Sequence, residues 1–223
     1  MWKSLGSPVP RAVPEPYTPL SWPISQSIAL PSADAVELQP MTAALQNRRS
    51  ERAFARLPPA QLSALLWHVG RRLELAPSPL GFAIERRPTP SAGAIHPIHM
   101  VLQLPDAHGW ARYNPHDHCL DMLTAVDTHL DPLALHCEEL VPRGQGQLML
   151  FVAEPGKTAA KYEDAESLVW RDAGVLQGTL ALVAASLDLH FCLLGVSGDP
   201  WVAALADQGQ LRGVGAAILG ARP

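Results

Sequence analysis

The sequence predicts an α+β fold, and three observations carry that prediction. Segments Pro40–Arg49 and Pro58–Gly70, and a long one from about Glu163 to Leu187, show helical apolar spacing. Between the second and the third lie runs of strand length that alternate or stay apolar: Ile98–Leu104, Gly109–Tyr113, His118–Leu123 and Gln147–Ala153. Two of these flank Asn114-Pro115-His116-Asp117, a turn that makes them an antiparallel hairpin. A doubly wound parallel sheet would instead alternate strands with helices.

Residues 1–39 form a separate zone. Pro8, Pro10, Pro14, Pro16, Pro19, Pro23 and Pro31 forbid a long helix and favour extended chain. Trp2, Tyr17, Trp22 and Ile28 lie among them, so the zone reads as an arm packed on the domain that fills 40–223. The first helix has apolar Met41, Ala44 and Leu45 and ends in cations, which suit a helix C-terminus. The second opens on proline, carries Leu62, Leu65, Leu66 and Val69 on one face, and stops at Gly70. Next comes Pro90-Ser-Ala-Gly-Ala-Ile-His-Pro97, where small side chains and free backbone N–H groups at a helix start let a planar or anionic ligand approach the main chain. An ordinary capped turn before a strand is the plainer alternative. Gln147–Ala153 is apolar almost throughout, as a central strand requires. Asp199–Ala206 reads as a short helix and Gly213–Gly220 as a last buried strand.

Of 223 residues, 48% are hydrophobic and 17% charged, which is a globular composition. A formal net charge of −4 leaves no footprint for nucleic acid. No run is long enough for a membrane span, and the N-terminus lacks a signal-peptide pattern, so a cytoplasmic protein is expected. Cys119, Cys137 and Cys192 are irregularly spaced and read as reduced thiols. The nine histidines and three cysteines form no metal-binding frame, so no metal is expected.

Chemistry concentrates in few segments. Arg48-Arg-Ser-Glu-Arg52 places three guanidiniums and a hydroxyl within five residues, enough to hold one phosphate; a solvated helix end is the alternative. Arg48-Arg-Ser-x-Arg-x-Phe54, the Leu-Leu-Trp helix ending at Gly70, and Arg86-Arg-x-x-Pro-Ser-Ala-Gly-Ala-x-x-Pro97 together resemble the flavin-dependent nitroreductase superfamily. Within it the chain is similar to SagB-type dehydrogenases, which oxidise azolines to azoles in thiazole/oxazole-modified peptides. Arg112-Tyr-Asn-Pro-His-Asp-His-Cys-Leu120 resembles that group's Tyr-Asp-Pro…His-x-Leu hairpin. Lys161-Tyr162, Ile218-Leu-Gly220 and the arm's Tyr17…Pro23…Leu30-Pro31 extend the likeness over most of the chain.

The resemblance implies a nitroreductase-like fold, a central and mostly antiparallel sheet flanked by helices, in a homodimer with FMN at its interface. It implies that Arg48, Arg49, Ser50 and Arg52 hold the phosphate and ribityl chain. Pro90, Ser91, Ala92 and Gly93 would approach the isoalloxazine, often from the partner subunit, and Leu193-Leu194-Gly195 would present backbone to its other edge. Arg222 is the late cation, close before the last residue Pro223. Lys161-Tyr162 matches a catalytic Lys-Tyr pair; removing hydrogen from an azoline needs a base for the carbon-bound proton while hydride leaves to the flavin. The plainer alternative has Lys161 snorkelling from the long helix's first turn.

The chain departs from the pattern at Glu163-Asp164, where two carboxylates would weaken a neighbouring lysine as a base. It also departs at Asp172-Ala-Gly-Val175, where the family has Glu-x-Gly-His, at Gln177-Gly178, at Leu187-Asp-Leu189 and in its early stop. The leading expectation is FMN-dependent azoline oxidation on a ribosomally made peptide, with other subunits of a peptide-modifying complex as candidate partners. Two alternatives stand beside it: NAD(P)H-dependent reduction of nitro compounds or quinones, and a flavin-poor member serving as a structural or peptide-binding subunit.

Overall fold

The structure, a computed structural model, describes residues 5–33, 36–104, 109–206 and 210–223. Trp2 of the arm lies outside them. Seven strands form one antiparallel sheet: β2 (Ile24–Ala29), β5 (Ile98–Leu104), β6 (Gly109–Asn114), β7 (Cys119–Leu123), β8 (Gln147–Ala153), β10 (His190–Leu194) and β11 (Arg212–Gly220). Their spatial order is β10-β11-β8-β5-β6-β7-β2. The hairpin foreseen around Asn114-Pro115 is present as β6–β7.

The period-2 geometry of a strand sends alternate side chains to opposite faces. On one face Met100 and Leu102 of β5, Met149 and Phe151 of β8, and Ala217 and Leu219 of β11 pack under α2 (Pro59–Gly70) and α5 (Glu166–Ser186). On the other face Val101, Leu148, Leu150, Ala216 and Ile218 meet α3 (Asp127–Leu140). β8 is buried along its whole length, which explains its unbroken apolar run. The domain is therefore a three-layer sandwich, with α3 a helix the sequence reading did not include.

α1 (Met41–Asn47) corrects one expectation. Its apolar spacing buries only Ala44, while Met41 and Leu45 remain 61% and 60% exposed. Trp170 and Val175 of α5 are likewise 43% and 41% exposed, so both helices leave apolar side chains uncovered.

The arm is built into the fold at two places. β2 is the outer strand of the main sheet, paired with β7 from Ile24↔Leu123 to Ala29↔Cys119. Upstream, β1 (Val9–Pro10) pairs with β9 (Tyr162–Glu163), and Arg11 N–H and Glu15 N–H donate to the carbonyls of Lys161 and Ala160 at 2.9 Å each. The Tyr17 ring lies so close to Gly156 in α4 (Pro155–Ala159) that any side chain there would collide with it. β3 (Glu74–Ala76) and β4 (Ile84–Arg86) make a separate small hairpin. No described helix is long and apolar enough to cross a membrane.

Candidate active site

Most of the sequence-predicted residues gather into two groups at opposite ends of α5. The first lies beside the start of β10. The strap after α1 runs beside the start of this strand: Glu51 N–H donates to the Phe191 carbonyl at 3.3 Å, and His190 Nδ1 lies 2.5 Å from the Ala53 carbonyl. Arg49 and Arg222 line one cavity of about 590 Å³ with Asn47, Glu51, Asp188 and His190. Arg222 reaches Asp188 at 3.1 Å. Arg48, Arg49 and Arg52 are exposed and have no carboxylate partner among the described residues. Exposed guanidiniums without counter-charges, beside an open cavity, form a donor set that suits a phosphate. Ser50 is exposed between them. Leu194 ends β10, four residues and about 13 Å beyond His190. Gly195 follows with open space where a side chain would point, so its backbone can be approached closely.

The second group is closed rather than open. Pro90-Ser91 leads into a single 3-10 turn, Ala92–Ala94, and not the helix start anticipated. Nor are its N–H groups all free: Ala92 N–H donates to Asp172 Oδ1 at 3.0 Å, and the Ser91 hydroxyl donates to Asp172 Oδ2 at 2.6 Å. Ser91 Oγ in turn accepts from His96 N–H at 3.0 Å. Gly93, Ala94 and His96 all have positive φ, at 65°, 58° and 50°. Left-handed backbone at two non-glycine residues is costly, and the Asp172 clamp helps to hold it.

Lys161 and Tyr162 close over this turn. A Cβ on Gly93 would lie 3.0 Å from Lys161 Nζ and 3.1 Å from the Tyr162 hydroxyl. The pair is not in the first turn of the long helix, as the plainer reading had it. Tyr162 lies in β9, and α5 begins only at Glu166, because the arm's β1 draws Tyr162–Glu163 into an extended pair. Of the two carboxylates beside the pair, Glu163 is 3.7 Å from Arg11, and Asp164 packs against Gly6.

Thus Lys161, Tyr162, Pro90, Ser91, Ala92 and Gly93 come together, and the Arg48–Arg52 strap and Arg222 come together elsewhere. Leu194 and Gly195 are not brought to the arginines: Leu194 pairs with Ala216, level with the middle of α5. Asp172 marks the first group on α5, while Ala185 marks the cavity of the second. Thirteen residues of helix separate them, about 20 Å. Sequence reasoning treated Asp172 as a departure and missed its role. The available signal was its helical spacing from Val169 and Leu176, which places a carboxylate on the apolar face that the helix buries, where it is 8% exposed. Gln177, also noted only as a departure, donates to the Val214 carbonyl at 2.9 Å and ties α5 to the sheet.

An antiparallel sheet between helical layers, with a phosphate-suited cavity at one end of its longest helix, defines an α+β domain built for a nucleotide-like ligand. The chain belongs to the nitroreductase family, whose model matches residues 45–209, and it is an oxidoreductase by that membership. No curated protein matches it. Among solved structures it is similar to a protein of Ralstonia eutropha JMP134 described as a nitroreductase, at 22% identity and a TM-score of 0.65, covering 97% of this chain and 98% of that one. It is similar to part of the E. coli microcin synthetase McbBCD complex with truncated pro-MccB17 bound, at 19% identity and a TM-score of 0.57, covering 81% and 73%. A Desulfovibrio desulfuricans protein described as a nitroreductase, in complex with FMN, matches at 19% identity and a TM-score of 0.52, covering 82% and 86%.

Proposed function

We propose that this chain is an FMN-dependent dehydrogenase of SagB type that oxidises azolines to azoles in a ribosomally made peptide. The observation that carries the reading is the convergence of Lys161 Nζ and the Tyr162 hydroxyl on Gly93. Two segments far apart in sequence, each matched to the family for a different reason, meet there. Arg48, Arg49, Ser50, Arg52 and Arg222 would hold the phosphate end of FMN, and Leu194–Gly195 would lie along its ring. The donor set fits, since three of those guanidiniums lack a carboxylate partner among the described residues. When bound, FMN accepts the hydride that leaves the azoline carbon. Lys161 or Tyr162 takes the proton from the adjacent carbon, and the Asp172 clamp keeps the Pro90–Gly93 turn still while it does so.

The 20 Å between the two groups supports a homodimer. A second copy related by two-fold symmetry would bring one protomer's turn to the other's arginines. Met41, Leu45, Trp170 and Val175 provide apolar surface for such contact. The protein acts on a peptide, either alone or beside other subunits of a modifying complex, and the shared fold of the peptide-bound microcin synthetase is consistent with that.

The first test is the visible spectrum of the protein as purified, with the released chromophore identified and counted per chain. One FMN per chain, with oxygen-dependent conversion of an azoline peptide, is expected. Bound FMN with NAD(P)H-driven reduction of quinones or nitro compounds, and no azoline turnover, would replace this reading with the reductase. A colourless protein that takes up no FMN would leave the scaffold reading in its place.

A further inference from the structure

We propose that the cavity between the arm and the sheet is a separate binding site for a small organic carboxylate, with the Lys157 ammonium as its counter-charge. The cavity measures about 420 Å³, within the range of small-molecule sites. The arm borders it at Pro19 and Leu20, β5 at Ile98–Met100, the β6–β7 turn at Arg112–Asp117, and α4 at Lys157. None of the residues assigned above to flavin or catalysis lines it, although its Arg87, His96, Ile98 and Met100 also line the neighbouring cavity of Pro90, Ser91 and Asp172; Lys161 lies four residues beyond Lys157.

The hydrogen bonds on its wall show which groups already have close partners. The two buried carboxylates are already partnered. Glu85 accepts from Arg87 Nε at 2.8 Å and lies 2.6 Å from His116 Nε2. Glu154 accepts from Leu20 N–H at 2.6 Å and pairs with His99 Nε2 at 3.0 Å. Among the cations, Arg87 is paired with Glu85, and Arg112 reaches Asp121 at 3.0 Å. Lys157 has no carboxylate within ion-pair distance among the described residues. Its Nζ donates to one carbonyl, that of His96 at 3.2 Å, and sits 5.2 Å from the Phe82 ring centre. Arg112 Nε, on the same wall, is buried with no acceptor.

A lysine with spare donors and no carboxylate within ion-pair distance, set beside partnered carboxylates, suits an anionic ligand. Burial, with Arg87 nearby, pushes Lys157 down to about 8, although Glu154 and Glu85 at longer range pull the other way. An incoming carboxylate would reverse that. Leu20, Phe82, Ile98 and Met100 give the cavity apolar wall as well, which favours an organic anion with an apolar body over a bare inorganic one.

The experiment titrates benzoate into the full chain as purified, by calorimetry, in parallel with Lys157→Met, Lys157→Arg and the Arg49→Ala/Arg52→Ala variant. One benzoate per chain is expected. Lys157→Met should weaken it by roughly tenfold or more, the size of one charge-assisted bond, and Lys157→Arg should largely restore it. The double arginine variant should bind benzoate as the parent does. Inorganic phosphate should displace FMN or bind at the arginines without competing with benzoate. Unchanged affinity in Lys157→Met, loss of binding in the arginine variant, or no binding up to about 10 mM would each overturn the proposal. FMN counted on the same samples reports on the flavin reading independently, so failure of either is distinguishable from failure of the other.

Discussion

The two ends of α5 are built on opposite plans. At the arginine end, charges stand in the open, most of them with no internal partner, around a cavity of about 590 Å³. At the turn end, nearly every polar group is taken. Asp172 holds Ser91 and Ala92, Ser91 holds His96, and the arm pins Lys161 from behind. Open, unsatisfied charge is a means of capturing a ligand and contributes little to stability. Closed, strained and fully bonded backbone is a means of holding reacting groups still. The difference teaches that binding and chemistry are separable in this molecule, and that changes at the two ends should give different kinds of failure.

The largest effect is expected from Arg49→Ala/Arg52→Ala. Losing two charge-assisted contacts should weaken FMN by on the order of a hundredfold or more, read by equilibrium dialysis and flavin absorbance. The melting temperature of the flavin-free protein should not move, because both side chains are exposed. A large drop in the apo melting temperature would show that the arginine end is structural after all. Lys161→Ala should fail in the other way. Azoline turnover should fall by roughly a hundredfold or more with FMN content intact, as befits the loss of a positioned acid–base group. Loss of FMN in that variant would merge the two ends into one.

The sheet and the α2–α5 layer were legible because β8 and β11 are apolar runs that the sheet buries almost throughout, and α2 buries the face its 3.6-residue spacing selects. The helix on the other face, α3, was not read. The arginine end was legible for a related reason: Arg48, Arg49, Ser50 and Arg52 are neighbours in sequence. The turn end was not. Asp172 lies about 80 residues from Ala92, and nothing in either segment alone discloses that they bond. The start of α5 was misread because an arm more than 150 residues upstream competes for Tyr162–Glu163 and makes them a strand. Met41 and Leu45 were given the periodicity of a buried face that this single chain does not bury.

Acid should separate the two ends as well. Burial, helped by the Arg87 charge, holds His96 down to about 4, and burial with neighbouring Lys157 does the same to His99 despite Glu154. Unfolded histidine titrates near 6.5, so between about 6.5 and 4 the unfolded chain binds more protons. Stability therefore falls as pH drops through that window, by up to on the order of 3 kcal/mol for each histidine. Glu85 extends the trend. Although burial opposes it, His116 and Arg87 bring it down to about 2, so its contribution, present above about 4.5, is lost as pH falls towards 2. Urea midpoints at pH 7 and pH 5 measure the first window. Hydrogen exchange should show Ile95–Ile98 loosening before β8; simultaneous loosening would mean the turn end has no acid sensitivity of its own.

The smallest change tests the clamp. Asp172→Asn keeps the size and one carbonyl oxygen but removes the charge that Ser91 and Ala92 both address. A charge-assisted pair becoming a neutral one should cost about 1 kcal/mol, a melting shift of a few degrees for a chain of this length. The more telling readout is kinetic. If Asp172 positions the turn, turnover should fall several-fold at unchanged FMN affinity, since a small displacement of reacting groups is expensive. A turnover identical to the parent's, with the melting shift present, would mean that the left-handed backbone at Gly93, Ala94 and His96 holds its shape without the carboxylate. Asp172 would then stabilise the fold, and the positioning would belong to Lys161, Tyr162 and the arm strand behind them.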